Sequence, residues 1–163
     1  MNLVDKIEAA FGHRVIPKQV VSLRGIITSE QRDALWFSGR DWRSLSERDW
    51  HDHGDAIFAL TSEAFVFYLA SILSLTSGGR CQLAPADAII QCLDRSPNPA
   101  YRDDFLTTRF ICLKDKECQV LKEWLLSLAG HTYVDAENAS ARAYETIDLL
   151  QRETARLRKE NLT

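Results

Sequence analysis

The sequence lacks the short motifs that mark the common enzyme sites. It contains no Gly-x-x-x-x-Gly-Lys-Ser/Thr phosphate loop, no Gly-x-Ser-x-Gly nucleophile elbow and no His-Glu-x-x-His metal motif. The Gly78-Gly79 pair is not followed by the Lys-Ser/Thr of a phosphate loop. We therefore predict no catalytic residue and no cofactor, and we favour a protein that is not an enzyme.

A strong charge of either sign is also missing. The 20 Lys and Arg residues against 23 Asp and Glu residues give a net charge of -3. Proteins that bind nucleic acids or anionic lipids carry a basic excess, since they neutralise phosphates. We therefore predict neither a nucleic-acid partner nor a membrane partner, whereas a weakly basic protein partner is compatible with this charge.

The sequence has no long hydrophobic run and no closely paired cysteines. Its most apolar stretch, residues 64–75, is shorter than the roughly 20 residues that a bilayer requires. The first residues include Asp5 and Glu8 and lack the basic start of a signal peptide. The 4 cysteines form no Cys-x-x-Cys pair, so free thiols are expected. These features predict a cytoplasmic protein.

Helical periodicity is what the sequence does contain. The 163 residues and 45% hydrophobic content fit one domain. More than one face of the segment 61–75 is apolar, which is typical of a helix inside a bundle. The apolar residues are Phe65, Phe67, Tyr68, Leu69, Ile72, Leu73 and Leu75. We predict a single all-α domain over residues 1–163, with about six or seven helices around this central helix and a long C-terminal helix.

Several helix starts carry recognisable caps. Thr28 with Gln31, and Ser46 with Asp49, fit capping boxes, in which a hydroxyl accepts a backbone N–H and the later side chain bonds back. Thr61 or Ser62 is expected to cap the central helix. The segment 13–26 is predicted to be an ordered loop, since Pro17 argues against a central strand.

The C-terminal helix, predicted over about 136–160, carries a seam of residues at four-three spacing: Ala136, Ser140, Ala143, Ile147, Leu150, Thr154 and Leu157. Two alternatives remain open. The seam packs on its own bundle and the protein is a monomer, or it pairs with a second copy in a homodimer. The charged end from Arg152 onward is expected to lie in solvent.

A segment rich in Trp and Arg precedes the central helix. Trp and Arg are over-represented among the residues that dominate binding energy at protein interfaces. We predict five partner-binding residues: Trp36, Arg40, Trp42, Arg43 and Trp50. The alternative is that these rings close one end of the bundle, with the Arg side chains stacked over them.

The same segment holds a candidate metal site. His51, His53 and Asp55 are metal-ligand types close together in sequence. However, residues two apart on a helix point to different sides, and Gly54 interrupts the helix before Asp55. We predict no metal, and we keep a metal-binding protein or metal-dependent enzyme as the alternative function.

The segment from Trp42 to Leu128 resembles a family of small bacterial proteins of unknown function, whose members share a Leu-Thr-Pro-Glu-Ala-Phe-x-x-Tyr-Leu-Pro motif. The matching residues are Trp42, Leu45, Ile57, Leu60, Thr61, Glu63, Ala64, Phe65, Tyr68, Leu69, Arg109, Phe110 and Leu113. Ser62 and Ala70 replace the two prolines of the family, so a kink in the central helix is not expected. The resemblance implies a helical fold and a bacterial origin, and it supplies no catalytic residues.

Small helical bacterial proteins without catalytic motifs are often immunity proteins that bind a toxin, or adaptors for secreted effectors. The sequence therefore favours a cytoplasmic protein-interaction module of this kind, with a protein as its partner.

Overall fold

The computed structural model describes residues 1–22, 24–25, 27–131 and 138–162, and α-helices dominate them. The described residues form eight α-helices, which are α1 (Leu3–Phe11), α2 (Ser29–Leu35), α3 (Glu47–His53), α4 (Ser62–Thr76), α5 (Ala84–Leu93), α6 (Asp104–Arg109), α7 (Asp115–Leu128) and α8 (Ala139–Glu160). Short 3-10 turns lie at Trp42–Ser44, Gly54–Phe58, Ser77–Gly79, Pro99–Tyr101 and Phe110–Cys112. The all-α prediction is confirmed.

Helix α4 is the centre of the bundle, as its apolar composition predicts. Every residue from 64 to 73 is buried, and α4 packs against α1, α5 and α6. The helix runs without a break through Ser62 and Ala70. Two hydroxyls on α4 satisfy buried indoles: Ser71 accepts the Nε1–H of Trp50 at 2.9 Å, and Thr76 accepts that of Trp124 at 3.0 Å.

The predicted caps form as expected. The Thr28 and Gln31 side chains bond reciprocally to each other's backbone N–H groups, and Ser46 and Asp49 do the same. Thr61 accepts the N–H of Ala64 at 3.2 Å. These bonds satisfy N–H groups that have no partner inside their own helix.

The segment after α1 is a loop, as predicted, throughout its described residues. The strand-like contact that its described residues make is an isolated antiparallel bridge between Val21 and Leu60. A buried ion pair fixes its start, since Arg14 contacts both carboxylate oxygens of Glu117 at 2.5 and 2.8 Å. Glu117 also accepts the backbone N–H of Lys114 at 2.7 Å, so one carboxylate joins this loop to the start of α7.

The seam of α8 packs largely within the bundle. Ser140, Ala143, Ile147 and Leu150 are buried, and α8 packs against α7 and α5. Leu157 is 44% exposed, so the last part of the seam faces solvent. Ala136 lies outside the described residues. The monomer and the homodimer both stay predictions.

None of the described helices is, by itself, long and apolar enough to cross a bilayer. Among the described residues, α4 with its following turn has the length and apolar composition of a membrane span only when it is taken together with α5, and the axes of the two helices differ by 94°.

All 4 cysteines are free thiols, and burial raises the pKa of Cys92 and Cys118 to about 11.

Candidate functional site

Two of the five predicted partner-binding residues are core residues. Trp50 is 1% exposed and Trp42 is 5% exposed. The centre of the Trp50 ring lies 4.9 Å from that of Phe37. The Ser71 hydroxyl accepts a hydrogen bond from the Trp50 indole N–H. For Trp42 and Trp50 the structure therefore favours the alternative in which the rings close the end of the bundle, because a buried ring offers little surface to a partner.

Arg43 acts mainly as a connection between elements. Its guanidinium lies 4.7 Å from the Trp42 ring and contacts the Glu8 carboxylate of α1 at 2.7 Å. The pKa of Arg43 is raised, mainly by the hydrogen bond that it donates to Glu8. Burial opposes the rise, and the hydrogen bond donated to Asp41 adds to it. The half-exposed guanidinium covers the buried Trp42 ring, as the stacking alternative expected.

Trp36 and Arg40 form a partly exposed stack that also includes His53. The Arg40 guanidinium carbon lies 3.8 Å from the centre of the Trp36 ring. The His53 imidazole stacks on the same indole at 4.1 Å with an interplanar angle of 16°. His53 Nδ1 in turn contacts Asp33 Oδ1. We call Arg40, Trp36, His53 and Asp33 the Trp36 stack.

The positions of the stack follow from local structure. Trp36 comes directly after α2, and His53 is the last residue of α3, just before the Gly54–Phe58 turn. The packing of α2 against that turn brings the two rings together. The Arg40 side chain bonds back to the Trp36 carbonyl at 2.8 Å. Tyr68 of α4 places its hydroxyl 2.6 Å from the Phe37 carbonyl and 2.9 Å from the Arg40 carbonyl. The segment is therefore held to the central helix.

An open cavity of about 530 Å³ adjoins the stack. It is lined by Ser29, Glu30, Arg32, Asp33, Asp52 and Asp55, and we call it the acidic concavity. Its lining holds four carboxylates and one guanidinium, so it is negative, and Arg48 of α3 pairs with Asp52 from outside the lining at 3.7 Å. The pKa of Glu30 is lowered, first by its backbone N–H and then by the Thr28 and Ser29 hydroxyls, which keeps this carboxylate ionised.

Asp33 belongs to both features. It lines the acidic concavity and its carboxylate holds the His53 ring against Trp36. The aromatic, cationic and acidic groups thus form one continuous surface. Asp33, Asp52 and Glu30 are not singled out by any motif, because only the packing of α2 beside the Gly54–Phe58 turn brings them together.

The residues of the metal alternative do not converge. His51 is exposed, His53 is engaged by Asp33 and Trp36, and α3 ends before Gly54, as the sequence indicated. Within the described part of the chain, no group of three or more His, Cys, Asp or Glu side chains is arranged to hold a metal ion. The geometry of these residues therefore gives the metal alternative no support.

Comparison of the chain with protein-family models, with curated proteins and with solved structures gives no match. The all-α fold therefore stands on the structure itself. The resemblance carried by the residues between Trp42 and Leu128 stays a prediction.

Proposed function

We propose that this protein is a protein-interaction module that binds a cationic surface of a protein partner through the acidic concavity and the Trp36 stack. The observation that carries the proposal is the continuity of the two features through Asp33. The class of function we propose is a bacterial immunity protein that neutralises a cognate toxin, or an adaptor that holds an effector. A cytoplasmic location is part of this proposal.

The composition of the surface supports this function. Carboxylates in a concave surface attract a cationic partner and speed its association. The indole and guanidinium groups of Trp36 and Arg40 supply the residue types that contribute most to interface energy. The chain also lacks the common catalytic motifs, which favours binding over catalysis.

The stack is suited to binding because its side chains are already ordered. His53 and Arg40 both contact the Trp36 ring, so the indole has little rotational freedom to lose when a partner docks. Association of flexible side chains costs about 0.5–1.5 kcal/mol for each one immobilised, and a preformed stack avoids part of that cost.

The test uses the product of the neighbouring reading frame as the candidate partner. Its affinity for the wild-type protein is compared by calorimetry with those of Trp36→Ala and of Asp52→Asn/Asp55→Asn. We expect each variant to weaken binding by about tenfold or more. For a toxin, co-expression of the wild-type protein should restore growth of the host, and the variants should restore it less.

The matched control is Glu63→Gln/Glu145→Gln, which removes two exposed carboxylates outside the acidic concavity. It should bind like the wild type. Equal affinities for the wild type and both site variants would contradict the proposed surface. A neighbouring product that shows no binding and no growth effect would contradict the immunity function.

A further inference from the structure

A second open cavity lies between the proline-containing loop 97–102 and residues 149–156 of α8. Its volume is about 320 Å³. It is lined by three apolar and four charged residues: Pro97, Pro99, Leu149, Arg102, Arg152, Glu153 and Arg156. We call it the α8 groove. None of these residues belongs to the acidic concavity.

The charge of the groove is opposite to that of the whole chain. The lining itself holds three guanidinium groups and one carboxylate, whereas the chain carries -3. Asp148 and Glu160, which pair with Arg152 and Arg156, lie outside the lining. Arg102 is 15% exposed and contacts the Glu153 carboxylate at 2.5 Å, so this pair is built into the wall. The groove therefore presents a local basic surface on a mildly acidic protein.

Arg152 and Arg156 are the groups available to a ligand. Their side chains are 76% and 70% exposed. Each pairs with a carboxylate of its own helix, Arg152 with Asp148 at 2.7 Å and Arg156 with Glu160 at 3.6 Å. Exposed pairs of this kind stabilise a helix only slightly, so an incoming carboxylate can replace or share them.

The opposite wall of the groove is preformed. Pro97 and Pro99 restrict the loop backbone, and the Asn98 side chain accepts the N–H of Ala100 at 3.0 Å. Arg95 anchors the loop further by contacting Asp103 at 2.6 Å and the Tyr101 carbonyl at 3.3 Å. A ligand therefore meets a rigid apolar wall on one side and two exposed guanidinium groups on the other.

The spacing of these groups matches an extended chain. Residues four apart on a helix are about 6 Å apart along its axis, and Leu149 lies about 4.5 Å before Arg152. Alternate residues of an extended segment are about 6.6 Å apart and point to the same side. A segment with the pattern Leu-x-Glu-x-Glu can therefore place its leucine near Leu149 and the prolines while its carboxylates reach the two arginines.

We propose that the α8 groove is a docking site for an acidic, extended segment of a partner protein with an apolar residue ahead of two alternating carboxylates. Charge complementarity with Arg152 and Arg156 sets the chemistry of the occupant. The proposal is independent of the function proposed for the acidic concavity.

The test is binding of a fluorescein-labelled peptide, Gly-Ser-Leu-Ser-Glu-Ser-Glu-Ser-Gly, followed by fluorescence anisotropy at low salt. We expect saturable binding with a Kd below about 1 mM. Arg152→Glu/Arg156→Glu should weaken binding by about tenfold or more, and Arg152→Gln/Arg156→Gln by a smaller factor. Raising the salt concentration to about 1 M should also weaken it, because exposed charges are screened.

Two controls separate the groove from general electrostatics. Lys18→Glu/Arg48→Glu makes the same change in charge at exposed positions outside the groove and should bind the peptide like the wild type. A peptide with Gln in place of both Glu residues should lose binding. The proposal is overturned if no binding is seen up to a protein concentration of about 1 mM, or if the control and groove variants weaken binding equally. Circular dichroism confirms that each variant is folded.

Discussion

The pairing of Trp50 with Ser71 makes a sharp prediction about the core. Both residues are buried, and the Ser71 hydroxyl is the acceptor for the Trp50 indole N–H at 2.9 Å. The substitution Ser71→Ala removes the acceptor and leaves the N–H buried without a partner. It changes little else, because only one oxygen atom is lost.

The expected loss of stability can be estimated from this geometry. A buried donor left without an acceptor costs about 1–3 kcal/mol. In a protein of this length each kcal/mol corresponds to about 2–4 °C in melting temperature. We expect Ser71→Ala to lower the free energy of unfolding by about 1.5 kcal/mol and the melting temperature by about 3–6 °C.

Helix α4 also supplies a matched control. Ser74 is on the same helix, and its hydroxyl oxygen is buried but has no hydrogen-bond partner among the described residues. Ser74→Ala makes the same chemical change and gives the same gain in helix propensity, about 0.5 kcal/mol. It should be neutral or stabilising by up to about 1 kcal/mol, because it removes an unsatisfied buried group.

Urea unfolding followed by tryptophan fluorescence and by circular dichroism measures both variants. The difference between them isolates the hydrogen bond, since helix propensity contributes equally to each. Equal stabilities of Ser71→Ala and Ser74→Ala would refute the reasoning, and so would a destabilisation by Ser74→Ala that exceeds the one by Ser71→Ala.

Three further outcomes are expected. Glu117→Ala should lower the free energy of unfolding by about 2–4 kcal/mol in urea titrations, because it leaves Arg14, whose side chain is only 18% exposed, without its carboxylate partner. Glu117→Gln should lower it less, because the amide oxygen still accepts the backbone N–H of Lys114. Equal losses for the two variants would contradict this account. Stability should fall by about 3–4 kcal/mol between pH 8 and pH 10. Burial raises the pKa of Cys92 and Cys118 to about 11, whereas an unfolded cysteine has a pKa of about 8.5. As the pH rises, the unfolded state loses these protons first and is stabilised relative to the folded state. The variant Cys92→Ala/Cys118→Ala should therefore lose less stability over the same pH range. Deleting residues 157–163 should lower the melting temperature by less than about 4 °C, because Leu157 is 44% exposed and the Arg102–Glu153 pair is kept. A larger drop would show that this end is buried against something in solution.

Much of the fold could be predicted because its signals are local. Caps such as Thr28 with Gln31 involve residues three apart in sequence. The burial of α4 on most of its faces follows from its own apolar residues, without knowledge of the helices that pack around it. The number of helices was harder to predict. Helix α6, Asp104–Arg109, is too short to show a period, and it depends on tertiary burial of Leu106 and on the cap that Asp103 provides.

The candidate site was only partly predictable, because its decisive contacts are distant in sequence. Trp42 and Trp50 each follow an Asp and precede a basic residue, whereas Trp36 lies between Leu35 and Phe37. Even so, Trp36 is the ring that remains partly exposed. Ser71, which satisfies the buried Trp50 N–H, and His53, which stacks on Trp36, lie in other helices. Composition drew attention to this segment, but it could not separate the rings that fill the core from the ring that remains partly exposed.

The hydroxyl of Tyr68 has a consequence for the dynamics of the proposed binding surface. By lying within bonding distance of two carbonyls in the turn after α2, it couples that turn to the most deeply buried helix. Local opening of the turn must break this buried contact, so its backbone amides should exchange with solvent nearly as slowly as those of α4. The entropy of ordering this surface is then lost once, during folding, and a partner that docks later meets a surface whose shape is already set.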